Sequence, residues 1–201
     1  MKGMKNTACI PVLLICAVLF AGCTPAELSL SEDIPQTDAE YTQLGPVLMV
    51  EKMDCLELLD AKDVLSADGL FYGTWGSGEL HSYEDEDGNE IQIRDVQLFA
   101  LVSEKENPEQ AAAETDNLLY TARETYHVTE EKQVEIDGRE FTCLVYDNEG
   151  IRKNAHYARG ISAFKTEGNC ALCIELTSQK EWDKDMEPLL KEFLEHCRFS
   201  G

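Results

Sequence analysis

Two of the chain's cysteines, Cys170 and Cys173, have the C-x-x-C spacing. That spacing serves thiol exchange or metal ligation when both sulfurs turn to the same point. The segment around them is predicted to be a β-strand, in which residues three apart point to opposite faces. We therefore expect Cys170 in the core and Cys173 on the outer face beside Glu175. A thiol- or metal-dependent function of these two cysteines, with His196 or Cys197, is the alternative.

The remaining cysteines are expected to be structural. Five cysteines follow residue 23, and this odd number leaves at least one thiol unpaired unless two chains pair. Cys143 and Cys197 are predicted as small buried side chains. A disulfide from Cys143 to a neighbouring strand stays open, because it depends on an oxidising compartment. His196, beside Cys197, is expected to pack at the end of a helix.

Other signatures of chemistry are missing from the sequence. The four histidines form no i, i+4 pair and lie near no serine elbow. The acidic segment 84–90 resembles an EF-hand loop, but with Gly88 in its sixth position Tyr83 and Arg94 fall where carboxylate ligands are needed. A solvated hairpin tip is therefore expected, with a weak cation site as the alternative. Hydrolase, zinc-protease and phosphate-loop motifs do not occur, so no catalytic residue, metal or cofactor is predicted.

Aromatic side chains suggest a binding surface rather than a catalytic one. Tyr72, Trp75 and Tyr83 lie in or near a glycine-rich stretch and are the candidate ligand-binding residues. The alternative is that they fill the core. Exposed aromatic rings mark contact surfaces, so the exposure of these three rings decides between the two interpretations.

Turn residues predict a series of β-hairpins that would position these side chains. Asp-Gly pairs at Asp87-Gly88 and Asp137-Gly138 are strong hairpin signals, and Gly168-Asn169 marks a third turn. A change of hydrophobic phase near Arg94-Asp95 predicts a β-bulge. The predicted strands are 70–86, 91–102, 133–136, 139–146, 155–165 and 170–177.

Three helices are predicted from apolar spacing and capping residues. The first covers 47–65, where apolar residues recur every three to five positions. The second begins at Asn107-Pro108 with Gln110 in the reciprocal capping position. The third runs to Phe199 and tolerates its proline only if it starts near Asp185. The expected core stripe of the second helix is Ala111, Thr115, Leu118, Leu119 and Ala122.

The order of these elements is helix, hairpin, helix, four-strand meander and helix. This order predicts an α+β domain, an antiparallel sheet packed by two to three helices. With 43% apolar residues, the length suits one globular domain, which we place at 46–201.

Residues 1–22 have the layout of an export signal, with Lys2 and Lys5 before an apolar stretch over 8–21. That stretch is shorter than the ~20 residues of a membrane span. The end of the segment, Leu19–Cys23, resembles the lipobox of bacterial lipoproteins, with phenylalanine where leucine is usual. The resemblance implies cleavage before Cys23 and acyl chains such as palmitate on its thiol. It further implies a lipid anchor at the extracytoplasmic face of the cell membrane.

The acidic composition narrows the choice of partners. Residues 23–45 are polar and acidic, and we interpret them as a flexible tether behind the lipidated Cys23. The formal charge of the chain is −22, and it becomes −24 when residues 1–22 leave with their two lysines. Such a field repels nucleic acid and anionic headgroups. The expected partners are the membrane, through the lipid, and a protein or peptide.

The segment 133–199 resembles the α/β/α sandwich of PsbP-like domains. The similarity rests on a meander whose last strand, 170–177, leads through Trp182 into an amphipathic helix over 187–199. It implies a PsbP-like sandwich and a non-enzymatic binding or assembly module. The sequence as a whole therefore favours a lipid-anchored, non-enzymatic binding or assembly module of the cell envelope.

Overall fold

The computed structural model describes residues 41–64, 69–84, 90–147, 159–179 and 184–200, without the side chains of 62–64, 83–84 and 90–93. These residues form two antiparallel sheets and two α-helices, which confirms the predicted α+β class. The larger sheet has seven strands: β3 (Glu57–Val64), β4 (Leu70–Glu84), β5 (Glu90–Glu104), β6 (Val128–Ile136), β7 (Arg139–Asp147), β8 (Arg159–Glu167) and β9 (Cys170–Ser178).

The strand order of the larger sheet is β3-β4-β5-β9-β8-β7-β6, and all neighbours are antiparallel. Strands β3–β5 and β6–β9 each form a meander, and the pairing of β5 with β9 joins the two. The predicted four-strand meander is therefore confirmed. Asp137 and Gly138 have φ values of 51° and 73°, the left-handed conformation that a tight two-residue hairpin needs.

The predicted helix over 47–65 is wrong, because this segment forms two strands. Leu48–Glu51 is β2 of the smaller sheet, and Glu57–Val64 is β3. In β2 the side chains of Leu48 and Val50 are buried while those of Met49 and Glu51 are half-buried, which is the two-residue period of a strand. Pairing with two other strands outweighed the helix-like spacing of apolar residues over the longer segment.

The smaller sheet joins segments from both ends of the described chain. Its central strand β2 pairs with β1 (Tyr41–Leu44) on one side and with β10 (Cys197–Phe199) on the other. Leu44 is buried in β1, so residues 41–44 belong to the fold and not to the predicted tether. The described residues begin with β1 at Tyr41, and the predicted domain boundary lies at 46.

Helix α1 (Pro108–Thr125) confirms the second predicted helix. The Asn107 side chain accepts a hydrogen bond from the Gln110 amide at 2.9 Å, and the Gln110 side chain accepts one from the Glu106 amide at 3.2 Å. Ala111, Leu118 and Ala122 are buried, as the predicted core stripe requires. The reciprocal cap thus forms one residue earlier than expected.

Helix α2 (Met186–Glu195) begins after Asp185, whose side chain caps the Glu187 amide at 3.1 Å. This start beside the proline confirms the predicted condition. The helix ends four residues before Phe199, because Cys197–Phe199 leaves it to pair with β2 as β10. Within the described ranges, neither helix combines the length and apolar character that crossing a bilayer demands.

Side chains of the larger sheet alternate between two cores. One core lies between this sheet and a layer made of α2 and the smaller sheet, and it contains Leu98, Ile174 and Phe193. The other lies beneath α1 and contains Phe99, Leu144 and Phe164. The domain is therefore a three-layer sandwich in which both faces of the central strands are buried.

The predicted β-bulge occurs where expected. The register of β4 against β5 shifts between Ser77 and Leu80, opposite Asp95. The Asp95 carboxylate accepts a hydrogen bond from the Glu79 amide at 2.9 Å and contacts the His81 ring at 2.6 Å. The extra residue lies on β4, whereas the phase change in the sequence lies on β5.

Candidate functional site

The structure separates the aromatic residues predicted to bind a ligand. Trp75 and Tyr72 lie in β4 and point to opposite faces of the larger sheet. Trp75 is only 4% exposed, and its ring meets Phe193 edge-on with 5.1 Å between centroids. The exposed ring that the prediction needs is not found at Trp75, which instead fills the core.

Tyr72 is half-buried on the α1 side of the sheet. Its ring stacks on Phe99 with 5.8 Å between centroids, and its hydroxyl donates a hydrogen bond to Asp60 at 3.2 Å. Tyr83 belongs to β4, but its side chain lies outside the described residues. Tyr72 and Trp75 therefore do not form a shared surface.

Cys170 and Cys173 point to opposite faces of β9, as predicted. Cys170 is buried in the core beneath α2, and Cys173 is buried in the core beneath α1. The expected exposure of Cys173 is wrong, because α1 covers the face that the prediction took as the outer one. The two sulfurs lack the shared approach that thiol exchange or joint ligation requires.

The chemistry of the thiols is suppressed by burial. The five cysteines of the described ranges are free thiols, so the disulfide left open at Cys143 does not form. Burial raises the pKa of Cys143 and of Cys170 to about 11, and it raises the pKa of Cys197 further. Buried thiols with raised pKa values hold little thiolate at neutral pH and react slowly. No group of three or more potential metal ligands occurs in the described ranges.

His196 and the acidic tip offer no site among the described residues. His196 caps the C-terminus of α2, and its ring Nδ1 lies 2.8 Å from the Glu192 carbonyl oxygen. Cys197 is buried in β10. This confirms the packing interpretation for the pair. Residues 85–89 of the acidic tip lie outside the described chain.

A cavity of about 360 Å³ lies between the start of α2 and strands β6, β7 and β8. This volume falls in the range of about 300–1,000 Å³ typical of small-molecule sites. The start of α2 and the two residues before it form one wall, and the three strands form the other. The cavity is lined by Thr129, Glu130, Lys132, Val145, Tyr146, Asp147, Arg159, Ile161 and residues 184–187.

Arg159 is the unusual residue of this cavity. It is the first residue of β8, where its backbone pairs with Asp147 of β7 and Ser178 of β9. Two guanidinium nitrogens, Nε and Nη2, are buried and have no hydrogen-bond acceptor among the described residues. Buried arginines normally pair with an acceptor, because an unpaired buried charge is costly. Arg159 is therefore a donor group that lacks its acceptor.

Three other charged side chains of the cavity, Glu130, Lys132 and Glu187, are paired with one another. Lys132 of β6 contacts Glu187 of α2 and lies 3.5 Å from Glu130, and Lys191 donates to Glu187 at 2.8 Å. The hydrogen bond to Glu187 raises the pKa of Lys132, and the bonds from the two lysines lower the pKa of the Glu187 carboxyl. These contacts hold α2 against β6, and no ion pair among the described residues includes Arg159.

Sequence reasoning missed Arg159. Residues 159–165 of the predicted strand 155–165 lie in β8, and 155–158 fall outside the described residues. The apolar residues Ile161 and Ala163 alternate on the core side. Side chains two residues apart in a strand share a face, so Arg159 lies on the same inward face as Ile161. An arginine at an inward position was therefore the available signal, but nothing in the sequence indicates that its acceptor is missing.

A second cavity of about 380 Å³ lies between the smaller sheet and β3, and Trp75 forms part of its lining. Two of its carboxylates are already paired, Glu57 with Arg94 at 2.8 Å and Glu51 with Arg198. Glu51 and Glu57 thus serve the fold, and the first cavity, which contains Arg159 without an acceptor among the described residues, is the better candidate for a ligand site.

The sequence matches no known family model and no curated protein. Three solved structures resemble the fold at low identity. A crystal structure from Bacteroides thetaiotaomicron VPI-5482 shares 10% identity and covers 65% of this chain with a TM-score of 0.36, and the chain spans 45% of its length. The solution structure of cyanobacterial PsbP from Synechocystis sp. PCC 6803 shares 12% identity and covers 74% of this chain and 95% of its own, with a TM-score of 0.37. A Pseudomonas aeruginosa protein of unknown function shares 13% identity with a TM-score of 0.31. The alignment covers 59% of this chain and 95% of that protein.

Proposed function

We propose that this protein is an exported, lipid-anchored and non-enzymatic binding module of the bacterial cell envelope. Its ligand would enter the cavity between the start of α2 and strands β6–β8. The observation that carries the proposal is Arg159, whose buried Nε and Nη2 lack an acceptor. The two nitrogens are also closed to solvent, so a ligand oxygen would reach them only by displacing the side chains around them. The guanidinium is suited to bidentate contact with a carboxylate or phosphate.

Burial of the thiols argues against the alternative thiol- or metal-dependent function. Cys170 and Cys173 face different cores, and the raised pKa of Cys170 disfavours the thiolate that such chemistry uses. The binding role needs no reactive group. It needs a cavity with an unsatisfied polar group, and the cavity beside Arg159 provides both.

Native mass spectrometry of the full-length protein, purified in detergent from bacterial envelopes, tests the binding role. We expect a small-molecule adduct on the wild type that is absent from the Arg159→Met variant. The matched control is Arg123→Met, because Arg123 is an exposed arginine on α1 that pairs with Glu131 at 2.6 Å. An adduct of equal occupancy in both variants, or no adduct on the wild type, would contradict the proposal.

Lipid anchoring has a separate test. The lipobox-like segment ending at Cys23 supports it, and two long acyl chains give stable membrane attachment where one does not. Labelling cells with a palmitate analogue should mark the wild type and leave Cys23→Ser unlabelled and released from the membrane fraction. Cys55→Ser is the control, since Cys55 lies within the fold and is only half-buried. Equal labelling of Cys23→Ser would refute the anchor.

A further inference from the structure

Strands β4 and β5 extend beyond the larger sheet as a two-stranded arm. The pairing of β3 with β4 ends at Gly76, and the pairing of β9 with β5 ends at Val96. Beyond these points Leu80–Glu84 pairs only with Glu90–Arg94 among the described residues, and we call these two segments the arm. Five residues of extended backbone project about 15 Å past the sheet.

Side chains at the base of the arm fix its direction. Arg94 donates from Nη1 to the Gly78 carbonyl oxygen at 3.2 Å and from Nη2 to Glu57 at 2.8 Å. The Asp95 carboxylate accepts a hydrogen bond from the Glu79 amide at 2.9 Å. Gly78 has a φ of 83°, a conformation that favours glycine. A two-stranded hairpin alone is only marginally stable, and these contacts tie this one to the sheet.

The two edges of the arm differ in what they already contact. Gln179 donates from its amide to the Asp95 carbonyl oxygen at 2.9 Å and from Nε2 to the Arg94 carbonyl oxygen at 3.0 Å, so the β5 edge is in use at its base. On the other edge, no strand of the described residues pairs with Leu80–Glu84 from outside. Its backbone groups are a template for a further strand of about five residues.

The residues of this β4 edge lack the usual protection of an edge strand. Edges that stay unpaired commonly carry a lysine, a proline or a β-bulge. Strands β3 and β6, the edges of the larger sheet, each contain a lysine and a register shift. The segment 80–84 contains neither lysine nor proline, and the bulge of β4 lies before it. The Leu80 side chain is 53% exposed, so the edge also offers apolar surface.

The charge of the arm limits what can pair with this edge. Residues 79–90 contain six carboxylates and no lysine or arginine. A second copy of the chain would bring an equally acidic arm to the edge, and its formal charge of −22 would add to the repulsion. A basic segment would instead be attracted, and such attraction speeds association and favours the correct partner.

We propose that Leu80–Glu84 receives a lysine- or arginine-rich extended segment of a partner protein as an added β-strand. Main-chain hydrogen bonds to the β4 edge supply the affinity, and alternate side chains of the partner contact Leu80 and the exposed Glu79. The arm residues line neither of the two cavities. The inference therefore goes beyond the proposed ligand binding and does not depend on it.

Fluorescence anisotropy with the full-length protein in detergent tests this inference. The probe is a labelled seven-residue peptide of alternating lysine and valine with blocked ends. Its control is the same peptide methylated on its third and fourth backbone nitrogens, which keeps all four charges and removes one hydrogen-bond donor from each edge. We expect the control to bind about tenfold more weakly, because strand addition depends on those donors. Equal affinity of the two peptides, or no binding of the probe, would overturn the inference.

Two matched substitutions locate the binding surface. Leu80→Lys places a lysine on the edge, as in β3 and β6, and should weaken binding of the probe about tenfold. Tyr120→Lys makes the same change of charge at an exposed ring of α1 and should leave the affinity unchanged. Equal effects of the two substitutions would mean that the total charge attracts the peptide, and this would contradict the assignment to the arm.

Amide hydrogen exchange of the same complex gives a second measurement. Bound probe should slow exchange within Leu80–Glu84 and leave Pro108–Thr125 of α1 unchanged, because only the arm gains hydrogen bonds. Slower exchange elsewhere without any change in the arm would refute strand addition. A wild-type dimer in sedimentation that Leu80→Lys dissociates would identify a second copy as the occupant and would overturn the basic partner.

Discussion

Replacing Arg159 by methionine should stabilise the ligand-free protein. Most substitutions of a half-buried residue reduce stability, so the expected direction is unusual. The reason is that Nε and Nη2 of Arg159 are buried without an acceptor among the described residues. The methionine side chain is flexible and unbranched, like the aliphatic part of arginine. It therefore fills the same space along β8 without adding hydrogen-bond donors.

The size of the effect follows from two opposing contributions. A buried unsatisfied donor costs about 1–3 kcal/mol, so two nitrogens at the lower limit cost about 2 kcal/mol. The substitution also removes a positive charge near acidic side chains such as Asp147, and this loss offsets up to about 1 kcal/mol of the gain in stability. The net gain in the free energy of unfolding is about 1 kcal/mol, which raises Tm by about 2–4 °C in a chain of this length.

Calorimetric melting curves of the full-length protein in detergent measure this shift, after the bound ligand has been removed by refolding from urea. The control Arg123→Met breaks an exposed pair with Glu131 and should lower Tm or leave it unchanged. A Tm of Arg159→Met that is lower than that of the wild type by 2 °C or more would refute the reasoning, since it would mean that the guanidinium already has an acceptor.

Three further substitutions test other parts of the fold by urea unfolding. Asp95→Ala should cost about 1–2 kcal/mol at pH 7. Hydrogen bonds from the Glu79 amide and from His81 lower the pKa of the Asp95 carboxyl, so its stabilisation is complete above the ordinary value of about 3.9 and is lost as pH falls through the lowered value. The deficit should therefore shrink at acid pH, and a constant deficit would contradict this. Phe193→Ala should cost about 3–5 kcal/mol because the ring is fully buried, and a loss below 1 kcal/mol would show a loose core. Tyr146→Phe should cost about 1–3 kcal/mol, because it removes the donor to buried Glu175; an unchanged free energy would mean that this hydrogen bond contributes nothing.

The hairpins and the capped helices of the fold could be predicted because their signals are local. Two glycine turns, Asp137-Gly138 and Gly168-Asn169, and the Asn107-Pro108 cap each determine a few neighbouring backbone angles. Strand β2 could not be predicted from its own residues, because one of its two partners, β10, lies at the opposite end of the described chain. Pairing at that distance leaves no mark in an 18-residue window.

The candidate site was harder to predict than the fold. An aromatic residue type alone does not show exposure: the layer of α2 and the smaller sheet buries the ring of Trp75. Cys173 was assigned to the outer face because the position of α1 over β9 is not encoded locally. Arg159 becomes notable only through the acceptor it lacks, which is a property of the assembled cavity.

The edge position of β1 determines how the domain responds to mechanical load. In the hairpin of β1 and β2, Tyr41 pairs with Glu51 at the open end and Leu44 with Leu48 at the closed end. A pull on the chain before Tyr41, as from a membrane anchor, loads the pairs one at a time and not all together. Peeling β1 withdraws one buried side chain, Leu44, and leaves the seven-stranded sheet intact. The domain would thus lengthen at its first strand under tension while the cavity beside α2 keeps its shape.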